Sequence, residues 1–223
     1  MKKQPTISAE VIIFDLDMTL IDSVASIVSC FNHAFTANGL QPPSRDQIRA
    51  LIGLTLEKMV EISLMKAGIN PTHQLVDSLC ISYRNRYLAT AGRETGLFPD
   101  VVNVLEHFKD KRLCILTTKQ GILTRKLLDD LRIQHYFNMV LGYGDYHNPK
   151  PDPEAIFKIL DATKVPATKA VIIGDTTYDV LAGRNAGIHT IAVTYGIDPS
   201  DELKQAKPDF MIDSLIELKK ILH

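Results

Sequence analysis

An aspartate pair, Asp15 and Asp17, directly follows the apolar run VIIF near the start of the chain. Two carboxylates at this spacing can take different roles in a group-transfer reaction. The first, when bound to a cation, can attack as a nucleophile. The second can protonate the leaving oxygen as a general acid and later activate water as a base. Alone, the Asp-x-Asp pattern is more often part of a turn or a helix cap. A catalytic interpretation therefore depends on matching polar residues elsewhere in the chain.

Compatible polar residues follow later apolar runs, in the segments LCILTTK, NPKPDPE and VIIGDTTYD. These residues are Thr117, Thr118, Lys150, Asp175 and Asp179. Thr19, just after the aspartate pair, is of the same kind. Carboxylates gathered in one crevice repel each other unless a cation compensates them, and all-oxygen ligation suits Mg²⁺. Lysine and threonine supply positive charge and donors for nonbridging phosphoryl oxygens, and phosphoryl transfer depends mainly on such neutralisation and positioning. These residue types predict Mg²⁺-dependent phosphoryl chemistry.

Short apolar runs rich in β-branched residues or leucine predict the strands that position these side chains. The runs are Val11–Phe14, Leu113–Leu116, Met139–Leu141, Ala170–Ile173, Thr190–Val193 and Phe210–Ile212. Helical patterns alternate with the last five runs: they open at Pro99, at about Ile122, near Pro153 and after Asp175, and the last stops at Gly187. This alternation predicts an α/β fold with a doubly wound, Rossmann-like parallel sheet. Loops at the carboxyl ends of such strands meet in one crevice, so the polar residues are expected to converge there.

A long helical tract interrupts this alternation after the first strand. Its apolar residues recur at helical spacing, and one helix is expected to start at Asn70-Pro71 and to finish at Gly92. We therefore predict an all-helical cap domain over residues 20–93, inserted into an α/β core formed by residues 1–19 and 94–223.

The composition bounds the function class. The 223 residues are 45% hydrophobic and 23% charged, with a formal net charge of −1, which favours neither nucleic acid nor an anionic membrane as a partner. Three scattered cysteines fit a reducing compartment. The four-residue run near the start is too short for a signal-peptide core or a membrane span. We expect a cytoplasmic monomer or homodimer that binds a small phosphorylated molecule.

The motifs and their order resemble those of haloacid dehalogenase superfamily phosphatases of the phosphoglycolate phosphatase-like group, over essentially the whole chain. The resemblance implies that Asp15 forms an aspartyl-phosphate and that Asp17 is the acid/base. It implies a Mg²⁺ ion held by Asp15, the backbone carbonyl of Asp17 and Asp175, with Asp179 and Thr19 in support. It assigns phosphate binding to Thr117, Thr118 and Lys150, the last also counted as catalytic.

The sequence departs from the family's pattern at two positions. Met18 occupies the glycine position of the usual DxDGT motif, and a methionine costs stability there if the backbone needs a positive φ. Thr118 stands where asparagine is common. Asp17 itself matches the phosphatases, because relatives that cleave carbon–halogen bonds lack this second aspartate.

The substrate beyond its phosphate stays open at this stage. The segment Arg45–Met59 is the expected specificity element, with Arg49, Gly53 and Thr55 as tentative contacts, although its charges are as readily explained as a solvated helix face. Phosphoglycolate, pyrophosphate, a nucleoside monophosphate and a sugar phosphate are all candidates, and a sugar-phosphate mutase would use the same aspartates. A receiver-like signalling module and an inactive binding module are the non-enzymatic alternatives.

Overall fold

A six-stranded parallel sheet organises the molecule in the computed structural model, which describes residues 6–223. The strand order is β5-β4-β1-β6-β7-β8, and every neighbouring pair is parallel. The strands are β1 (Val11–Phe14), β4 (Arg112–Gln120), β5 (Met139–Tyr143), β6 (Ala170–Gly174), β7 (His189–Val193) and β8 (Phe210–Ile212). All six predicted strands are present, which confirms the predicted α/β fold class.

Helices cover both faces of this sheet. They are α5 (Val101–His107), α6 (Gly121–Asp130), α7 (Glu154–Thr163), α8 (Thr177–Ala186), α9 (Ser200–Ala206) and α10 (Leu218–Ile221). Successive residues of β1 point to opposite faces: Ile12 and Phe14 join the core that includes α5 and α6, whereas Val11 and Ile13 join the one that includes α7 and α8. A strand buried on both sides has to be apolar at every position, which explains the unbroken run VIIF.

The predicted helical insertion lies between two very short strands. It comprises α1 (Val24–Ala37), α2 (Arg45–Arg49), α3 (Leu56–Lys66) and α4 (His73–Glu94). The short strands β2 (Ile21–Asp22) and β3 (Gly96–Leu97) pair antiparallel at its two ends. The chain therefore leaves and re-enters the sheet region at one place, close to the predicted limits of the cap.

Both expected ends of α4 are wrong by about two residues. The helix begins at His73 because the Thr72 hydroxyl accepts a hydrogen bond from the backbone N–H of Leu75, an N-cap that leaves Asn70-Pro71 outside. It continues past Gly92 to Glu94. Gly92 is not a helix-ending residue: a Cβ there would lie 2.6 Å from the Cβ of Asp130, so its small size lets α4 approach α6.

Strand β4 is longer than its apolar run indicates. It continues to Gln120, with a register shift against β5 between Leu116 and Gln120. Thr117 and Thr118 therefore lie within the irregular last part of the strand rather than beyond its end.

Within residues 6–223, no helix combines the length and the apolar character needed to cross a membrane.

The turn after β1 contains a residue in the left-handed region. Met18 has φ 64°, a conformation that glycine adopts without steric cost and other residues rarely do. Its side chain is 5% exposed and packs in the core shared by the sheet and the helical insertion. The methionine therefore gains burial at the expense of backbone strain.

Replacing Met18 by alanine and by glycine separates these two effects. Both variants lose the buried side chain, but only Met18→Gly also relieves the positive φ, so we expect it to be more stable than Met18→Ala by about 1 kcal/mol. Urea unfolding measures the difference. At Val104, buried in α5, the order should reverse, because glycine is about 1 kcal/mol worse than alanine in a helix. The same order at both positions would contradict this account of Met18.

Candidate active site

The predicted site residues meet at the carboxyl edge of the sheet. Asp15 directly follows β1, and its backbone N–H donates to the carbonyl of Ile173 in β6. Asp175 directly follows β6, and Asp179 lies in the first turn of α8. Lys150 comes from the loop between β5 and α7. Parallel strands bring these four side chains together from segments far apart in sequence.

Lys150 is the central charge of this cluster. Its Nζ donates to Oδ1 of Asp15 at 2.6 Å and to Oδ1 of Asp179, and it lies 3.4 Å from the carbonyl oxygen of Leu116. The lysine side chain is only 3% exposed. A buried ammonium is tolerated when carboxylates pair with it, and here two do so at once.

Asp175 and Asp179 are fixed by further hydrogen bonds. Oδ1 of Asp175 accepts from the Thr19 hydroxyl at 2.8 Å, and its Oδ2 accepts from the backbone N–H of Ile197 at 2.9 Å. A Cβ on Gly196 would lie 2.1 Å from the Cβ of Asp175, so only glycine lets this loop approach the carboxylate. Oδ2 of Asp179 accepts from the backbone and hydroxyl of Thr176. Both carboxylates are therefore pre-oriented by this chain.

Three carboxylates form a donor set that fits a divalent cation. Asp15, Asp175 and Asp179 are buried, and each offers an oxygen within 4.8 Å of the others. All three are hard oxygen donors, as Mg²⁺ prefers. Among residues 6–223, the ammonium of Lys150 is the one positive charge that contacts this donor set, so the cluster carries more negative than positive charge. The carboxylate of Asp17 is not part of this set.

The pKa values of these side chains reflect burial and the excess of negative charge. Burial raises the pKa of Asp175 to about 7, and the negative charge of Asp179 adds to the effect. Burial also raises the pKa of Asp15, and the attraction of Lys150 offsets only part of that rise. Burial disfavours the charged form of Lys150, but Asp15 and Asp179 outweigh it and raise the pKa of the lysine.

The two threonines of β4 have different surroundings. The Thr117 hydroxyl accepts from the backbone N–H of Lys119 at 3.2 Å, and the Thr117 carbonyl accepts from the Tyr146 hydroxyl at 2.7 Å. The Thr118 hydroxyl donates to the carbonyl of Gly53 at 2.9 Å. Thr118 therefore links the sheet edge to the helical insertion, and its own proton is already used.

Lys119 is a site residue that the sequence reasoning missed. Its Nζ lies 3.0 Å from Oδ2 of Asp17, and the two side chains are 8% and 11% exposed. The ammonium also lies over the Tyr87 ring, 4.6 Å from its centroid, and Tyr87 stacks on Tyr83. Burial disfavours the charge on Lys119, but the Asp17 carboxylate outweighs it, so the pKa of the lysine is raised. The available signal was the position of Lys119 directly after two candidate phosphate-binding threonines.

A small cavity of about 30 Å³ separates the sheet edge from the helical insertion. The sheet side contributes Asp17 and the segment 118–120. The insertion contributes mainly apolar residues: Ile27, Ile52, Gly53, Leu54, Leu56, Met59 and Tyr83. Among the three tentative specificity residues, Gly53 thus lines the cavity. Arg49 instead donates to the carbonyl of Gly196 at 2.8 Å, and Thr55 caps α3.

Comparison with known proteins yields one family and close structural counterparts. The family model described as haloacid dehalogenase-like hydrolase matches residues 12–193. The protein is 34% identical over 216 residues to Probable phosphatase IndB of Dickeya dadantii, covering 95% of this chain and 93% of the other. It is 30% identical to a phosphoglycolate phosphatase of Vibrio cholerae, covering 96% and 97%. The crystal structure of a predicted phosphoglycolate phosphatase from Haemophilus somnus 129pt is 23% identical, with a TM-score of 0.88 and coverage of 95% and 97%.

The raised pKa of Asp175 predicts how the effect of added Mg²⁺ on thermal stability should depend on pH. The folded pKa of about 7 exceeds the ordinary aspartate pKa of 3.8. The protonated Asp175 therefore contributes stability that is fully present below pH 3.8 and is lost as the pH rises toward 7. We expect a divalent cation bound to this donor set to compensate the ionised carboxylates, so the rise in melting temperature on adding Mg²⁺ should be larger at about pH 7.5 than at about pH 5.5.

Thermal melts with excess Mg²⁺ and with a chelator measure this effect. Asp175→Asn should reduce both the shift and its pH dependence. Asp201→Asn, which changes a carboxylate that is 88% exposed, should leave them unchanged. A Mg²⁺-induced shift of equal size at both pH values would count against the carboxylate cluster as the metal site.

Proposed function

The chain belongs to the haloacid dehalogenase-like hydrolase family, and from this premise we propose that it is a Mg²⁺-dependent phosphatase of small phosphomonoesters. The observation that carries the proposal is the buried cluster in which Lys150 contacts both Asp15 and Asp179 beside Asp175. A divalent cation held by these carboxylates would, together with Lys150, neutralise a transferring phosphoryl group, which is the main requirement of the reaction.

Asp15 is the proposed nucleophile. Its Oδ1 is held by Lys150, while Oδ2 has no protein donor within residues 6–223. In the first step an Asp15 carboxylate oxygen forms a bond to phosphorus as the bond from phosphorus to the ester oxygen breaks. The products are an aspartyl-phosphate and an alcohol, once the ester oxygen has received a proton.

Asp17 is the proposed source of that proton. Its Oδ2 faces Lys119, and its Oδ1 is buried with no hydrogen-bond partner among the described residues. Asp17 also lines the cavity beside the cluster, where the leaving oxygen would lie. Having donated its proton to the ester oxygen, the ionised carboxylate takes one from water. The resulting hydroxide bonds to phosphorus as the bond to the Asp15 oxygen breaks, which releases inorganic phosphate and the free Asp15 carboxylate.

The residues proposed to hold Mg²⁺ are Asp15 and Asp175, with the backbone carbonyl of Asp17 and with Asp179 close by. When bound, the ion neutralises negative charge that develops on the phosphoryl oxygens. Thr19 and the backbone N–H of Ile197 keep Asp175 oriented for this role. Lys150 and the Thr117 hydroxyl are the proposed donors to the nonbridging oxygens, and Lys150 also holds the nucleophile in place.

The helical insertion is the proposed cap, over residues 20–93, on a core of residues 1–19 and 94–223. Supporting contacts run from the insertion to the sheet edge: Gly53 with Thr118, Glu57 with Gln120, and Arg49 with Gly196. A cap held over the cluster limits the substrate to small molecules and keeps water out during the first step. We also infer a reducing, cytoplasmic location, because Cys30, Cys80 and Cys114 are free and buried.

Two substitutions in the aspartate pair test the proposed roles. With an aryl phosphate and Mg²⁺, Asp15→Asn should reduce phosphate release by more than about 10³-fold, because it removes the nucleophile. Asp17→Asn should slow turnover by about 10²–10⁴-fold. An aryl leaving group needs little protonation, so this second variant should accumulate a phosphoenzyme, detected by intact-protein mass spectrometry after rapid quenching.

Asp201→Asn is the matched control, because it makes the same chemical change at a site that is 88% exposed, and it should behave as the unchanged protein does. Equal rates of phosphate release by Asp15→Asn and by the unchanged protein would contradict the proposed phosphatase function. Normal turnover by Asp17→Asn would contradict the acid/base role proposed for Asp17.

A further inference from the structure

One peptide group connects the helical insertion to Asp175. The carbonyl of Gly196 accepts a hydrogen bond from Nη2 of Arg49 at 2.8 Å, and Arg49 is the last residue of α2 in the insertion. The backbone N–H of Ile197 belongs to the same peptide group and donates to Oδ2 of Asp175 at 2.9 Å. This peptide is trans, so its C=O and N–H point to opposite sides of one rigid plane. Arg49 and Asp175 are therefore bonded to its two ends.

The loop 195–198, which carries this peptide group, is packed tightly against Asp175. A Cβ on Gly196 would lie 2.1 Å from the Cβ of Asp175, so the backbone of the loop lies directly beside the carboxylate side chain. The Tyr195 hydroxyl donates to the carbonyl of Thr19 at 2.8 Å, and the Thr19 hydroxyl donates to Oδ1 of Asp175. Both carboxylate oxygens thus depend on this loop for their orientation, Oδ2 directly and Oδ1 through Thr19.

Asp175 relies on hydrogen-bond partners that lie outside the proposed cation site. Such partners hold a metal-binding side chain in the orientation that the metal needs, and losing one typically lowers metal affinity by about 10- to 100-fold. The Ile197 N–H and the Thr19 hydroxyl are partners of this kind. Arg49 lies one step further out, because its guanidinium fixes and polarises the peptide group to which the Ile197 N–H belongs. A carboxylate has about four lone pairs, so Oδ2 can accept this bond and still bind a cation.

The position of Arg49 favours an action through the backbone over a contact with substrate. Among residues 6–223, those that line the cavity between the sheet edge and the insertion do not include Arg49. Gly53, four residues later, lines that cavity and also approaches the core: a Cβ there would lie 3.3 Å from Cγ2 of Thr176. Thr176 directly follows Asp175 in sequence. The insertion therefore contacts the chain next to Asp175 at two places, Thr176 and Gly196.

We propose that Arg49 is a positioning residue that couples the docking of the helical insertion to cation binding at Asp175. The inference rests on the proposed function, because the cation is the one that Asp15, Asp175 and Asp179 would hold. Coupling between two sites is reciprocal in its free energies. An insertion docked through Arg49 raises the affinity for Mg²⁺, and bound Mg²⁺ in turn holds the insertion more tightly on the sheet edge.

Calorimetric titration of Mg²⁺ into the full chain, without substrate, measures the first direction of this coupling. Arg49→Met removes the donor and keeps a long side chain, and we expect it to raise the Kd for Mg²⁺ by about 5-fold, the lower end of typical coupling between sites. Arg49→Lys retains a charged donor and should recover part of the affinity. Arg45→Met is the matched control at the exposed start of the same helix, and it should leave the Kd unchanged.

Hydrogen exchange measures the opposite direction and needs no variant. In the unchanged protein the backbone amides of α2 should exchange about 5-fold more slowly with Mg²⁺ than with a chelator, because bound cation lowers the population of undocked insertion. Arg49→Met should lose this protection, whereas Arg45→Met should keep it. If Arg49→Met does not fold, the exchange of α2 in the unchanged protein decides.

Three results would overturn the inference. One is an equal Kd for Mg²⁺ in Arg49→Met and in the unchanged protein, even where Arg49→Met melts at a lower temperature, because a purely structural role would give that pattern. Another is exchange of the α2 amides that does not respond to Mg²⁺ in the unchanged protein. The third is an equal loss of affinity in Arg45→Met, since that loss would not depend on the contact with Gly196.

These outcomes are distinct from a failure of the proposed function. Mg²⁺ binding that is lost in Asp175→Asn and unaffected in Arg49→Met would overturn the role of Arg49 and leave the cation site standing. Absence of Mg²⁺ binding by the unchanged protein would contradict the proposed cation site, and the coupling would fail with it. Hydrolysis of an aryl phosphate that depends on Asp15 tests the phosphatase separately from both.

Discussion

Four charged side chains buried together at the carboxyl edge of the sheet constrain the rest of the structure. Moving an ion out of water costs several kcal/mol unless partners compensate it. Lys150 is compensated by Asp15 and Asp179, and Asp175 by the Thr19 hydroxyl and the Ile197 backbone. Such compensation works only if each partner is held in place. The apolar strands on either side, β1 and β6, supply that rigidity because they are buried on both faces.

The helical insertion also affects the electrostatics of this buried cluster. If the charged edge faced water, solvent would screen the cluster and weaken each of its interactions. The insertion covers the edge through polar contacts with residues next to the cluster: Thr118 follows Thr117, and Gly196 packs against Asp175. The contacts that hold the helical insertion and those that orient the carboxylates therefore share the same short segments. A substitution that alters one of these two sets of contacts is therefore expected to alter the other.

Sequence patterns were enough to locate the sheet and the convergence of Asp15, Lys150 and Asp175, because buried parallel strands have an unmistakable composition and their ends must meet. They failed where a residue's role depends on a distant neighbour. Gly92 looked like a helix end, yet it makes room for Asp130 of α6. For Arg49 the sequence predicted only a tentative substrate contact and gave no sign of its bond to the carbonyl of Gly196 far along the chain. No local spacing encodes either contact.

Lys119 shows how the two aspartates differ. Asp15 and Asp17 are separated by the fully buried Leu16, and each faces a different lysine: Lys150 for Asp15 and Lys119 for Asp17. Lys150 also binds a second carboxylate and completes the charged cluster. Lys119 instead lies between Asp17 and an aromatic ring of the insertion, facing an apolar cavity. Two carboxylates only two residues apart are thereby placed in unlike surroundings, as a reaction that needs a nucleophile and a separate proton carrier requires.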